Sequence, residues 1–301
     1  MNGVKKFIVL YSLFFRFFSD LSLSACKKID LKFGNPGHLF VYFVLFIFSC
    51  TSTSAVKAKK QLREVEARSL LLVEYGTNKV LLEKQPNLIL PMASITKLGT
   101  ALVSRKEEIS IDEYIPAPPS AIVRNDYESR AGLEEKKEYK YIDLLHAMLI
   151  PSGNDAARTI ANRIETKNEP FKKLVRDWQK DNRIRDFDFQ EPVGISSASK
   201  ATAMELMNVL ELAKKDEDIF NILKKEKYTF FSKSNKKYDI VTRNPIPEWK
   251  GFKIFGKTGR TKKAGQCFAG FVSKGNKLWK LAILGSSDLV GDIKLMIEYI
   301  E

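Results

Sequence analysis

A serine three residues ahead of a lysine can lose its proton to that lysine when both sit on one helical face. Such a pair can carry out acyl transfer without histidine. Five S-x-x-K matches occur in the sequence, starting at Ser24, Ser54, Ser94, Ser197 and Ser234. In a chain with 50 Lys and Arg, the spacing alone carries little meaning. Context separates the five. Only Ser94-Ile95-Thr96-Lys97 follows closely on a proline, Pro91, and opens an apolar-faced helical pattern. There, free N–H groups and the helix dipole can stabilise an oxyanion. The matches at Ser24 and Ser54 fall in an apolar N-terminal segment, that at Ser197 in a loop, and that at Ser234 in a Lys-rich stretch. Ser152-Gly153-Asn154 is the one S-x-N, placed in a break between two apolar helical patterns. Lys257-Thr258-Gly259 is the one K-T-G, at the end of a strand pattern. It offers a cation, a hydroxyl and backbone N–H groups, a donor set suited to a carboxylate. A given tripeptide of this kind arises about once in a few thousand positions at average residue usage.

Composition narrows the alternatives. The 301 residues are 44% hydrophobic and 29% charged, enough to bury a core. There are two His, His38 and His146, and three Cys, Cys26, Cys50 and Cys267. That excludes a His-rich metal site and a disulfide framework, and leaves a Ser-His-Asp hydrolase only His146. No metal and no organic cofactor is implied. The net charge of +14 suits an anionic partner such as nucleic acid, lipid or wall polymer, and equally suits plain solubility. No zinc-finger spacing or single-strand-reader pattern occurs, so nucleic acid is not an expected partner.

These candidates need elements to position them. Residues 69–75 and 79–84 bracket Gly76-Thr77-Asn78 as a hairpin, and 265–273 and 277–285 bracket Lys274-Gly275-Asn276 as a second. A strand over 252–257 leads into the second. Helices are expected over 94–105, 141–149, 155–165, 170–182, 200–214 and 291–301, the last from Ile293, Met296, Ile297 and Ile300 at helical spacing. Residues 115–120 read as a Pro-rich loop and 224–238 as an exposed strand or loop. The order strands, helices, strands implies an α+β domain whose antiparallel sheet joins both chain ends.

Residues 1–58 read as an export signal or a membrane or lipid anchor with a linker, and 59–301 as the catalytic domain. The apolar runs 7–15 and 39–48 are each shorter than a membrane-spanning helix and suit the core of an export signal. Lipidation at Cys26 or Cys50, cleavage near Ala55 or Ala58, an uncleaved anchor, and a start near Leu31 all remain open. Each reading places the rest of the chain outside the cytoplasm, in the periplasm or on the outer face of the cytoplasmic membrane. Membrane contact is expected only through the N-terminal segment.

The three motifs together resemble those of the penicillin-binding proteins and serine β-lactamases. The chain is most similar to the low-molecular-mass D-alanyl-D-alanine carboxypeptidases and endopeptidases, over about residues 66–301. The likeness extends to Pro91-Met92-Ala93-Ser94, Tyr127-Glu128-Ser129-Arg130, Ser152-Gly153-Asn154-Asp155-Ala156-Ala157, Glu191-Pro192-Val193-Gly194-Ile195 and Gly256-Lys257-Thr258-Gly259-Arg260-Thr261. Arg260 departs from the family, where Tyr, Thr or His is common.

The resemblance implies a β-lactamase/DD-peptidase-like fold with a helical subdomain. It also implies peptidoglycan stem peptides as substrate and β-lactams as covalent inhibitors. Ser94 would be the nucleophile and Lys97 its base, its pKa lowered by burial and nearby cations, with Lys257 the candidate cation. The N–H groups of Ser94 and Arg260 would hold the oxyanion. Ser152 would relay a proton to the leaving amine, and Asn154 would bind Lys97 and the substrate backbone. Lys257 and Thr258, beside Gly259, would bind the terminal carboxylate. Plainer readings stand beside these: Ser152 as a helix cap, Thr258 as an ordinary strand residue, Asp155 as an N-terminal helix charge, Cys267 as core and His146 as structural. Arg130 fits either the cleft or the surface, and the Lys-rich 224–237 stretch fits a solvated face or a wall contact. Carboxypeptidase activity is the first expectation. Cross-link endopeptidase is the alternative, suggested by the chain's close after the catalytic fold. A β-lactamase is a rival, although no E-x-x-L-N segment lies between the second and third motifs. A catalytically silent penicillin-binding wall protein and a basic exported adhesin are the other rivals.

Overall fold

Alternating buried side chains bring the two chain ends into one sheet. The computed structural model describes residues 64–165 and 169–301. The strands are β1 Ser69–Glu74, β2 Val80–Lys84, β3 Leu90–Pro91, β4 Tyr114–Pro116, β5 Glu138–Lys140, β6 Phe187–Asp188, β7 Lys200–Ala201, β8 Lys227–Phe231, β9 Lys237–Val241, β10 Glu248–Trp249, β11 Phe252–Thr261, β12 Gly265–Lys274 and β13 Lys277–Ser286. The main sheet runs β10-β11-β12-β13-β1-β2, antiparallel throughout. Leu71 of β1 lies opposite Ala282 of β13, so residues far apart in sequence close the sheet.

The helices are α1 Thr96–Lys106, α2 Tyr141–Leu149, α3 Asn154–Glu165, α4 Phe171–Asp181, α5 Ala203–Lys215, α6 Glu217–Leu223 and α7 Leu289–Ile300. Both sheet faces are buried, as the period of two requires. Leu70 and Leu72 point to one side, where α7 packs Ile293, Met296 and Ile297. Each of those three side chains contributes about 1.5–3 kcal/mol by leaving water. Leu71 and Val73 point to the other side, into the larger core built with the remaining helices.

Several elements refine or depart from the sequence expectation. Ser94 does not lie in the helix proper. It sits in a one-turn 3-10 segment, Ala93–Ile95, and α1 begins at Thr96. Ala93 has φ of 49°, so the chain turns sharply just before the serine. Residues 217–223 form α6, capped by the Asp216 carboxylate, which accepts the Ile219 N–H. The Lys-rich stretch then folds as the β8–β9 hairpin. The Pro-rich 115–120 segment begins in β4, paired with β5.

The apolar runs 7–15 and 39–48, His38, Cys26, Cys50, Ala55, Ala58 and the matches at Ser24 and Ser54 lie outside the described residues. Among the described residues, no helix is long and apolar enough to cross a membrane.

Candidate active site

The sheet edge faces the nucleophile turn. β10 pairs only with Phe252 and Lys253, so the rest of β11 has no ladder partner on that side. The turn carrying Ser94 packs over the face of β11 at Gly259. A Cβ on Gly259 would lie 2.9 Å from both Met92 O and Ser94 N. Only glycine lets β11 approach this closely.

Lys97, the second residue of α1 and three positions after Ser94, is fully buried. Its Nζ lies 3.2 Å from Ser94 Oγ, 2.7 Å from Asn154 Oδ1 and 2.8 Å from the Val193 carbonyl oxygen. Burial lowers its pKa to about 7. Arg158 pushes in the same direction, while Glu191, Asp155 and Glu128 push back. A neutral amine has two N–H donors and one lone pair. Asn154 and Val193 accept the two donors, which leaves the lone pair for the Ser94 hydroxyl proton.

Asn154 opens α3, and its own N–H donates to Ser129 O. Its Nδ2 donates to Glu128 Oε2 at 2.7 Å, and Arg158 donates to the same oxygen at 2.6 Å. Those bonds hold the Glu128 carboxyl below its ordinary pKa, even though burial alone would raise it. Val193 is held from behind. The Glu191 carboxylate accepts the N–H groups of Val193 and Gly194 at 2.9 and 2.7 Å.

Ser152 lies in the break between α2 and α3 with φ of 65°, a conformation that L-residues rarely adopt. It is 5% exposed, and its hydroxyl makes no hydrogen bond among the described residues. It makes no cap bond among the described residues, and it lines the cleft. That cleft, about 480 Å³, is lined by Ser94, Tyr127, Ser129, Ser152, Arg243 and Thr258, together with Gly259 and Arg260.

Lys257 is buried beneath the cleft floor, and its Nζ donates to Thr258 O at 2.8 Å. Burial is the largest influence on Lys97, with Arg158 acting in the same direction. Burial, Lys97 and Arg243 push Lys257 well below its usual value, and the repulsion between the two lysines is mutual, so Lys257 also disfavours the charged form of Lys97.

The remaining singled-out residues have other work. Asp155 accepts N–H groups from Ala131, Gly132, Leu133 and Ala156, and so pins the 129–133 loop. Arg130 pairs with Asp126 at 3.3 Å on that loop, outside the cleft lining. Cys267 is buried in β12, and burial pushes its thiol up to about 11. His146 stacks on Tyr228 at 3.7 Å, and its Nδ1–H donates to Ile142 O. No cluster of three or more His, Cys, Asp or Glu suited to a metal occurs among the described residues.

Sequence reasoning gave no role to Glu128, Arg158, Glu191, the Val193 carbonyl or Arg243. Glu128 and Glu191 stood within segments already quoted for the resemblance. Arg158 and Arg243 carried no local signal.

The profile of a peptidase family described as D-alanyl-D-alanine carboxypeptidase matches residues 54–288. A D-alanyl-D-alanine endopeptidase of Escherichia coli (strain K12) is 30% identical over 209 residues, covering 68% of this chain and 66% of that protein. A D-alanyl-D-alanine carboxypeptidase of Bacillus subtilis (strain 168) is 27% identical over 235 residues, covering 74% of this chain and 58% of that protein. The chain thus spans roughly two thirds or less of these relatives' length. Among solved structures, a penicillin-binding protein of Listeria monocytogenes in its ampicillin-bound form superposes with a TM-score of 0.65. It is 23% identical and matched over 78% of this chain and 96% of its own, which establishes the shared fold.

Proposed function

The chain belongs to the D-alanyl-D-alanine carboxypeptidase family, and from that premise we propose that it is a serine peptidase acting on the D-Ala-D-Ala ends of peptidoglycan stem peptides. The observation that carries the reading is a buried Lys97 whose Nζ lies 3.2 Å from Ser94 Oγ and whose pKa is lowered to about 7.

Lys97 takes the Ser94 proton as Oγ attacks the scissile carbonyl carbon. The carbonyl oxygen becomes an oxyanion between the N–H groups of Ser94 and Arg260. The C–N bond breaks as Ser152 relays the proton held by Lys97 to the leaving D-Ala amine, which returns Lys97 to its neutral form. Water then attacks the acyl-enzyme ester, again with Lys97 as base, and releases the shortened peptide and Ser94. Asn154 holds Lys97 and the substrate backbone. Thr258 receives the terminal carboxylate, with Lys257 acting from beneath and Arg243 and Arg260 at the rim. β-Lactams enter the same step as acylating inhibitors. Release of free D-Ala from a D-Ala-D-Ala pentapeptide by the parent, and none by Ser94→Ala, is the expected result. A pentapeptide left intact by folded parent protein would overturn the reading.

A second reading is cleavage of cross-links. It is favoured by the relative of 30% identity, which is named an endopeptidase. A cross-linked muropeptide dimer in the same assay separates the two.

We further propose that residues 59–301 work outside the cytoplasm. Support comes from the apolar runs 7–15 and 39–48 and from the candidate lipidation sites Cys26 and Cys50 in residues 1–58. Mass spectrometry of the mature N-terminus tests this, and an intact Met1 on mature protein would contradict cleavage.

A further inference from the structure

A second recess, about 580 Å³, lies beside α6 and the β12–β13 turn. Lys214, Lys224, Lys225, Lys253 and Lys277 line it, against one acid, Glu226. Phe220 and Phe255 form part of its apolar floor. Lys253 is paired with Glu248. The other four lysines have no carboxylate partner among the described residues. The contrast is local, since Lys233, Lys236 and Lys237 of the neighbouring hairpin pair with Glu138, Glu134 and Asp239.

Three of the four unpaired ammonium groups are nonetheless held in place. Lys214 and Lys224 sit 4.2 and 3.9 Å from the centre of the Phe220 ring. Lys224 donates to a neutral acceptor, Asn221 Oδ1, at 3.1 Å. Lys225 donates to His146 Nε2 at 3.1 Å, the nitrogen left as acceptor because Nδ1–H is spent on Ile142 O. Neutral acceptors and ring faces orient the charges without cancelling them. Burial and the charge of Lys214 lower the pKa of Lys224, as expected where positive charge lacks a counter-charge.

We propose that this recess is a second binding site, separate from the catalytic cleft, for a small multivalent anion whose charged groups are phosphates. Ammonium groups act as compact point donors, and a phosphate concentrates more charge on one tetrahedral group than a carboxylate does. Thr242 and Ser273, which carry neutral hydroxyl donors, are also among the lining residues. Its volume falls in the range of small-molecule sites. The two cavities share one wall. Thr242 and Asn244 face the recess, while Arg243 and Pro245 between and beyond them face the catalytic cleft.

The test is calorimetric titration of the full chain with inorganic tripolyphosphate. Saturable 1:1 binding is expected. Lys214→Gln combined with Lys224→Gln should weaken it at least tenfold. Lys215→Gln combined with Lys227→Gln removes the same charge from lysines outside the recess and should change it less than twofold. Arg243→Gln combined with Arg260→Gln should also leave it within twofold, because those cations line the other cavity. Equal weakening in both lysine pairs would reduce the effect to net charge and overturn the proposal. Loss in the arginine pair would place the anion in the cleft and overturn it too. So would non-saturable binding, or binding only to phosphatidylglycerol vesicles. Circular dichroism of each variant reports on folding, and fluorescent-penicillin labelling of the parent and the two lysine variants reports separately on the peptidase reading.

Discussion

Glu128 fixes the direction in which Asn154 faces. Asn154 Nδ2 donates to Glu128 Oε2 at 2.7 Å, so Oδ1 must turn the other way, to Lys97 Nζ at 2.7 Å. A carboxylate only accepts, and it cannot tolerate the flipped amide. The acid thus selects the amide orientation that holds one N–H of the base.

Glu128→Gln should release that selection, because a glutamine side chain can pair with either end of Asn154. Loss of one charge-assisted hydrogen bond is worth about 1.5–3 kcal/mol, which corresponds to roughly a ten- to hundredfold fall in the acylation rate constant. Removing the negative charge also lowers the Lys97 pKa, so the acid limb of the pH profile should move to lower pH. Stopped-flow acylation by a chromogenic cephalosporin across pH measures both effects. An unchanged rate with an unchanged profile would remove Glu128 from the account.

The pH dependence follows from Lys97. Only its neutral form can take the Ser94 proton, and its pKa lies at about 7. Acylation should rise about tenfold per pH unit below 7 and level off above it. A base at its ordinary value would keep the rate climbing to about pH 10. A profile still rising between pH 8 and 10 would therefore contradict the burial argument.

Gly259→Ala should separate the sheet from the nucleophile turn. The added Cβ meets two backbone atoms, Met92 O and Ser94 N, at 2.9 Å, and neither is a flexible side-chain end. Overpacking of this kind costs about 1–3 kcal/mol, so the melting temperature should fall by several degrees. Acylation should fall further than stability, because Ser94 itself is displaced. Calorimetry with the acylation assay checks both, and parent-like acylation would show that the contact has slack.

His146 makes stability acid-sensitive. Burial lowers its pKa to about 4 from 6.5. Above pH 6.5 the ring is neutral in both folded and unfolded chains, and the group has no effect on the slope. Below 6.5 the unfolded chain takes up the proton while the folded one does not, so stability is lost as pH falls. The loss amounts to about 3 kcal/mol by pH 4. His146→Phe keeps a ring against Tyr228 and should flatten this slope in urea titrations between pH 7 and 4. Parallel slopes for parent and variant would assign the acid sensitivity elsewhere.

The motif residues were legible in the sequence because each motif is local. Ser94 and Lys97 are three positions apart, and Ser152 and Asn154 bracket one helix start. The hairpins and α7 were legible through periods of two and 3.6. What the motifs touch was not legible. Val193 contributes a backbone carbonyl, which every residue type carries, so composition cannot flag it. Arg158 and Arg243 matter only through where the folded chain carries them. Two-residue strands such as β6, β7 and β10 are too short to show a period. The end of α5 and start of α6 share Asp216, whose capping role is hidden in an unbroken run of helix-forming residues. The Lys-rich stretch, read as one surface, divides into lysines paired on β8–β9 and unpaired ones at the second recess.

The central claim is that Ser94, activated by Lys97, forms an acyl-enzyme. Gel labelling of the full chain with a fluorescent penicillin tests it most directly, with Ser94→Ala alongside. A stable band in the parent and none in the folded variant is the expected result. A band that persists in Ser94→Ala would place the nucleophile elsewhere and contradict the account.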